Sequence, residues 1–257
     1  MIRKYCRIAV DGEPTWGIID GDNIATIEGD LLGKHAVTRR TVPLAGAKLL
    51  APVTPTKIVC VGLNYADHVK ESQSANAIPE EPVTFMKPLT AIIGPEDTIR
   101  MPLASKRVDY EGEIGVVLSR TCRKLSPEQI AENIFGITCV NDVTARDLQK
   151  KDVQWTRGKG FDTFCPVGPY LVTGLDCLAL NVTSRLNGTT RQSSNSRNMI
   201  FSIPQLISFM NHVMTLNAGD LIVTGTPEGV GPMSDGDTVE IEVEGVGILR
   251  NYAKLDS

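Results

Sequence analysis

The sequence predicts a β-rich α+β protein with few helices and a small β appendage at its N-terminus. Three observations carry that expectation. Apolar runs are short, rich in β-branched residues and bounded by Asp-Gly or Asn-Gly pairs, as at Asp11-Gly12 and Asn187-Gly188. Clear helix starts are few, the best being Ser126-Pro127 and Pro204. Between Leu50 and Thr56 two prolines, Pro52 and Pro55, stiffen the chain and mark a boundary. Residues 1–54 are thus expected to form a small N-terminal β region with its linker, and residues 55–257 the main domain.

Composition narrows the class. A chain of 257 residues that is 42% hydrophobic and 22% charged has the balance of a globular protein with one large domain, or a large one and a small one. The net charge of −4 and the lack of any basic run argue against a nucleic-acid partner. No stretch approaches the ~20 apolar residues of a membrane span. The start, Met1 to Cys6, lacks a signal-type apolar region, so the expected location is cytoplasmic. Six cysteines without a Cys-x-x-Cys pair fit free buried thiols better than disulfides or a zinc site.

Arg7–Val10 and Trp16–Ile19, joined through Asp11-Gly12 and followed by Asp20-Gly21, predict two strands of a small meander. Leu31–Lys48 is weakly patterned and predicts a short helix or an irregular loop. Lys57–Gly62 is a buried strand. Asn64 then offers a cap to a short helix that sets His68 and Glu71 three apart on one face. At that spacing a carboxylate can accept from one imidazole nitrogen while the other serves as a base; the alternative is an exposed polar helix. The polar, proline-bounded Ser72–Glu81 beside it is a candidate lid.

The central stretch is Asp109–Leu118. Ile114, Val116, Val117 and Leu118 predict a buried strand, and Glu111 and Glu113 at its head point to one face. Two carboxylates beside an apolar run repel unless a cation lies between them. Their oxygens suit hard ions, Mg²⁺, Mn²⁺ or Ca²⁺; the alternative is a solvated acidic edge. Ile134–Val140 is another buried strand, and Asp142 just beyond it is placed to be a third ligand. If Thr144–Lys150 turns helically, Asp142, Arg146 and Gln149 share roughly one face, and the guanidinium could hold a substrate carboxylate. Otherwise Asp142 and Arg146 are a surface pair. Lys159, between Gly158 and Gly160, either approaches a substrate or sits on a solvated turn. Pro204 opens a helix with Leu206, Phe209, Met210, Val213 and Leu216 on its apolar face, ended by Asn217-Ala218-Gly219. His212 lies off that face, and His212 and His35 are expected at the surface. The glycine-rich Gly225–Pro232 lacks the Lys-Ser/Thr of a phosphate-binding loop, so phosphate cradling is not expected, while Thr226 could offer its amide or hydroxyl to a substrate oxygen.

Five motifs, in this order, carry a resemblance: Asn64–His68, Asp109–Glu113, Asn141–Gln149, Lys159–Asp162 and Gly225–Gly231. Together they resemble the fumarylacetoacetate hydrolase family over about residues 57 to 254. The short N-terminal region is similar to that of the bacterial dienedioate isomerase and oxaloacetate decarboxylase branch. The resemblance implies a mixed, largely antiparallel β-roll, a homodimer and one divalent ion per subunit, usually Mg²⁺ or Mn²⁺. It implies Glu111, Glu113 and Asp142 as metal ligands, and His68 and Glu71 as a catalytic pair. It sets Lys159, Gln149, Arg146 and Thr226 around a bound 2-oxo acid, with Lys159 also catalytic. The implied chemistry runs through a metal-stabilised enolate. C–C hydrolysis or decarboxylation of an acylpyruvate or oxaloacetate type is the leading expectation. Isomerisation of a 2-hydroxyhepta-2,4-diene-1,7-dioate in aromatic catabolism is the alternative. A non-catalytic protein holding a structural ion is the reading of another class, and it leaves His68 and Glu71 without a role.

Overall fold

The computed structural model describes residues 1–71 and 78–256. Ser72–Ala77, most of the candidate lid, lies outside the described residues. Strands dominate, and the α-helices among the described residues span four to eleven residues.

One twelve-stranded sheet runs in the order His35–Pro43, Asn23–Gly29, Glu13–Asp20, Arg3–Val10, Cys165–Thr173, Ile134–Asn141, Gly112–Leu118, Leu221–Val223, Ile58–Gly62, Val83–Lys87. Leu49–Leu50 and Ile92–Ile93 pair beside that path. The pairing along it is antiparallel except between Leu221–Val223 and Ile58–Gly62. A five-stranded sheet holds Thr189–Asn195, Asn181–Leu186, Thr238–Val243, Gly247–Leu255 and Thr98–Met101. A small third sheet joins Thr144–Ala145, Val108–Tyr110 and Gly231–Pro232.

The strand Gly112–Leu118 is buried along its whole length, which is why it shows as an apolar run rather than an alternation. Ile114, Val116 and Leu118 pack in the cluster that holds Val182, Val239, Ile241 and Leu249 of the five-stranded sheet. Val117 packs on the opposite face with Ile58, Cys60, Val140, Leu221 and Val223. Glu113 shares Val117's parity, so its carboxylate leaves on the face turned away from the five-stranded sheet.

Several expectations need correcting. The N-terminal meander has four strands rather than two, because Asn23–Gly29 and His35–Pro43 add to it. His35–Pro43 falls within Leu31–Lys48, where a helix or loop was expected. Most of its residues are exposed, so no face imposes an alternation. At the other end of the meander, Arg3–Val10 pairs with both Glu13–Asp20 and Cys165–Thr173, so the meander extends the main sheet. The helix opened by Ser202 and Pro204 stops at Val213 rather than running on to Leu216, and Val213 is exposed. Arg123 ends it by donating to the terminal carbonyls of Asn211, His212 and Val213.

Other local readings hold. Ser126 caps Pro127–Ala131 in a box completed by Gln129. Asn187 and Gly188 both adopt positive φ, 51° and 76°, as a two-residue hairpin turn requires. His35 and His212 are exposed. The cysteines form no disulfide, and all but the half-buried Cys177 are buried.

Candidate active site

Glu111, Glu113 and Asp142 converge: one oxygen of each lies within 4.8 Å of the others, and all three side chains are buried. Sheet register does this. Gly112 pairs with Asn141, the Asp142 amide donates to the Glu111 carbonyl at 2.8 Å, and the Glu111 amide donates to Asn141 Oδ1 at 2.9 Å. Glu113 Oε2 accepts from the Gly225 amide at 2.5 Å. Gly225 has φ +97°, and a Cβ there would sit 2.7 Å from the Asn64 Cβ, so only glycine brings that amide in without strain. Asn64 is not the helix cap expected of it. Its side chain clamps Phe201 N and O and the Thr224 carbonyl, partners 137 and 160 residues away, which no local pattern announces.

Cations line the acids. Lys159, at the end of the short helix Thr156–Lys159, is only 2% exposed, and its Nζ donates to Glu111 Oε2 at 2.8 Å and Asp142 Oδ2 at 2.5 Å. Lys87 Nζ donates to Asp142 Oδ1 at 2.5 Å and the Val143 carbonyl at 3.1 Å. Sequence reasoning passed over Lys87; the available signal was a lysine two residues from Phe85, on the same face of a short strand. The Arg146 guanidinium reaches Asp109, Gln149 and Glu111 together, so all three of its nitrogens already have partners. Arg146 and Gln149 share a face of the helix Arg146–Lys151, whereas Asp142 precedes that helix, just past the end of the strand Ile134–Asn141.

The charges do not balance evenly. Burial alone would raise the Glu111 pKa, but Lys159 and Arg146 hold it well below the usual carboxylate range. Glu113 goes the other way: burial, then the neighbouring Asp142 and Glu111, push it well above that range. No ion pair to Glu113 forms among the described residues. Burial would lower the Lys159 pKa, but Asp142 and Glu111 outweigh it and raise it. An all-oxygen donor set with one uncompensated buried carboxylate fits a hard divalent cation.

On the neighbouring wall, His68 Nδ1 lies 3.4 Å from Glu71 Oε2 in the helix Ala66–Glu71. The Gly229 amide donates to both Glu71 oxygens, at 3.0 and 3.2 Å. Burial lowers the His68 pKa, so the imidazole is neutral at physiological pH. The cleft is lined by His68, Glu111, Glu113, Arg146, Gln149, Lys159 and Thr226, with Val61, Gly62, Leu63 and Trp155 as its apolar wall. The Thr226 hydroxyl accepts from Gln192 Nε2 at 2.7 Å and donates to the Gly112 carbonyl at 3.0 Å. Seven of the nine residues expected from sequence thus line one cleft; Asp142 bonds Lys159 and Glu71 bonds His68.

The profile of the fumarylacetoacetate (FAA) hydrolase C-terminal family matches residues 57–253. The chain belongs to the fumarylacetoacetate hydrolase family. Residues 3–52 match a second profile, Rv2993c-like N-terminal. A crystal structure of 2-hydroxyhepta-2,4-diene-1,7-dioate isomerase from Mycobacterium marinum superposes with a TM-score of 0.92 at 42% identity, covering 99% of both chains. The 2,4-didehydro-3-deoxy-L-rhamnonate hydrolase of Sphingomonas sp. is 38% identical over 96% of this chain and 94% of its own. A mitochondrial oxaloacetate tautomerase of Bos taurus is 42% identical over 82% of this chain and 70% of its own. The β-rich mixed fold of the fumarylacetoacetate hydrolase family is therefore this chain's fold, and the protein is an enzyme of that family. No helix among the described residues is long and apolar enough to cross a membrane.

Proposed function

We propose that the protein is a divalent-metal-dependent enzyme that acts on a 2-oxo acid through its enolate, by C–C hydrolysis or decarboxylation of an acylpyruvate or oxaloacetate type. The observation that supports this most is the convergence of three buried carboxylates with a His-Glu pair on one cleft. Glu111, Glu113 and Asp142 would hold Mg²⁺ or Mn²⁺, which when bound supplies Lewis acidity toward the oxygens of the 2-oxo acid.

The remaining chemistry belongs to the chain. Glu71, held by the Gly229 amide, accepts from His68 Nδ1, which leaves the lone pair on Nε2. Nε2 takes a proton from the attacking water in hydrolysis. Lys159 holds positive charge against Glu111 and Asp142 and is placed to receive charge that develops on a substrate oxygen. Gln149 Oε1 is occupied by Arg146, so its amide N–H groups are what it offers a substrate. With its hydroxyl engaged, Thr226 shapes the cleft wall. Val61, Leu63 and Trp155 keep water from the reacting bond.

The second reading is isomerisation, in which His68 moves a proton between carbons and no bond between carbons breaks. It is favoured by the 42% identity to proteins named as an isomerase and a tautomerase. We further propose a cytoplasmic homodimer in which residues 1–54 are a small N-terminal β region with its linker and residues 55–257 the catalytic domain.

The test is turnover by metal-stripped protein, with and without Mg²⁺ or Mn²⁺, on oxaloacetate, acetylpyruvate, fumarylpyruvate and 2-hydroxyhepta-2,4-dienedioate. Metal-dependent cleavage of one of them is expected. Conversion of the dienedioate alone, without cleavage, establishes the isomerase reading. Turnover unaffected by chelation overturns the metal assignment.

A further inference from the structure

Gln192 sits in the strand Thr189–Asn195, whose other residues are exposed or half-buried, yet it is only 1% exposed. Its Oε1 accepts from the Gly112 amide at 2.9 Å. Its Nε2 donates to Thr226 Oγ1 at 2.7 Å and the Pro227 carbonyl at 2.8 Å. The Thr226 hydroxyl donates to the Gly112 carbonyl at 3.0 Å, which closes a ring of hydrogen bonds. A primary amide offers an acceptor and two donors, and here all three functions are used. Among the standard side chains, only glutamine and the shorter asparagine carry that set.

The ring's position gives it consequence. Gly112 lies between Glu111 and Glu113, and a Cβ there would sit 3.2 Å from Gln192 Oε1. Thr226 and Pro227 lie in the glycine-rich loop. That loop holds Glu113 through the Gly225 amide at one end and Glu71 through the Gly229 amide at the other. Gly229 is pressed onto the Gln192 strand: a Cβ there would lie 2.1 Å from the Arg191 carbonyl oxygen. The acid strand and the loop therefore meet where Gln192 lets them meet.

We propose that Gln192 is a positioning residue that sets the spacing between the acid strand and the glycine-rich loop, and so aims Glu113 into the cleft and holds Glu71 against His68. It touches no reacting atom. Its effect on metal affinity rests on the reading of the three carboxylates as a divalent-ion site; its effect on strand and loop does not. A buried network with every group satisfied holds its members in one geometry, and loss of one member frees the others. Such outlying partners typically change metal affinity 10–100-fold.

The experiment uses the full-length protein and two variants. Gln192→Met keeps the volume and removes every bond of the amide. Gln192→Glu keeps the acceptor facing Gly112 and loses at least one of the two donors. Amide exchange is followed by mass spectrometry in peptides covering 108–118 and 221–231, and affinity for Mn²⁺ alone by electron paramagnetic resonance. For Gln192→Met, faster exchange in both peptides is expected, with Mn²⁺ bound about 10–100-fold more weakly. For Gln192→Glu, faster exchange is expected in 221–231 but not in 108–118, a split that general loss of stability would not give. Wild-type exchange in both peptides of both variants overturns the proposal. Uniformly faster exchange across the chain in both variants also overturns it, because the bonds would then only hold the fold. If Gln192→Met does not fold, the split in Gln192→Glu decides alone. If the wild type binds no Mn²⁺, the ion-site reading fails, and the exchange pattern still decides the role of Gln192.

Discussion

Replacing Glu113 with Gln removes one charge from a crowded, buried set of acids and leaves the shape almost unchanged. Two unit charges 4.8 Å apart repel by about 3.5 kcal/mol at an effective dielectric constant of about 20. Glu113 faces two such acids, and Lys159 and Lys87, bonded to them, offset part of each repulsion, so the gain in metal-free stability is smaller than the two repulsions together. The pH dependence has a definite sign. The folded protein raises the Glu113 pKa above the ordinary value of 4.5, so it binds a proton that the unfolded chain releases. The associated stability is complete below that value and is lost as pH rises through the folded pKa, by up to about 1.4 kcal/mol per pH unit. The Gln variant lacks this loss. With Mg²⁺ at 100 times its dissociation constant, the wild type should gain about 2.7 kcal/mol. For a chain of this size that raises Tm by roughly 5–10 °C. Thermal melts of metal-stripped protein at acid and alkaline pH, repeated with Mg²⁺, measure both effects. Metal-free Glu113→Gln should equal or exceed the wild type at alkaline pH and gain nothing from Mg²⁺. A variant with the wild-type Mg²⁺ response would refute the ligand assignment, and one markedly less stable without metal would refute the charge argument.

His68→Ala should lower kcat about 10²–10⁴-fold while Mn²⁺ binding persists. Burial sets the His68 pKa below the ordinary 6.5, so wild-type activity should fall only below that pH, as the imidazole gains its proton. An acid limb that survives in the Ala variant would assign it to another group. Lys87→Met should destabilise the metal-free protein in urea unfolding by less than the about 3–5 kcal/mol of a buried charge left wholly unpaired, since it takes one of two cations from the fully buried Asp142 carboxylate. An unchanged unfolding midpoint would show that Lys159 alone compensates Asp142.

Much of the site was legible because its signals are local. Glu111 and Glu113 alternate with Gly112 in a strand, and a period of two sends both to one face whatever surrounds them. His68 and Glu71 meet because three residues is nearly one helical turn. Asp11-Gly12 and Asn187-Gly188 turn the chain where positive φ is cheap. The five motifs, each of this local kind, sufficed for the family.

What the tertiary structure decided lies between segments far apart in the chain. Lys87 finds Asp142 across 55 residues, Gln192 finds Gly112 across 80, and Asn64 clamps Phe201 across 137. His35–Pro43 escaped detection because only Thr38 and Val42 are half-buried, four residues apart, and the rest of the strand is exposed, so it shows no period of two. Arg146, expected from sequence to hold a substrate, lines the cleft and is also drawn onto Asp109, Glu111 and Gln149, contacts that no short stretch announces. Residue type and spacing determine which groups a strand or helix presents on each face. Sheet register determines which of those faces meet, and with them which charges must neutralise one another. Register is settled only when the whole apolar core packs, and so it appears in no short stretch of sequence.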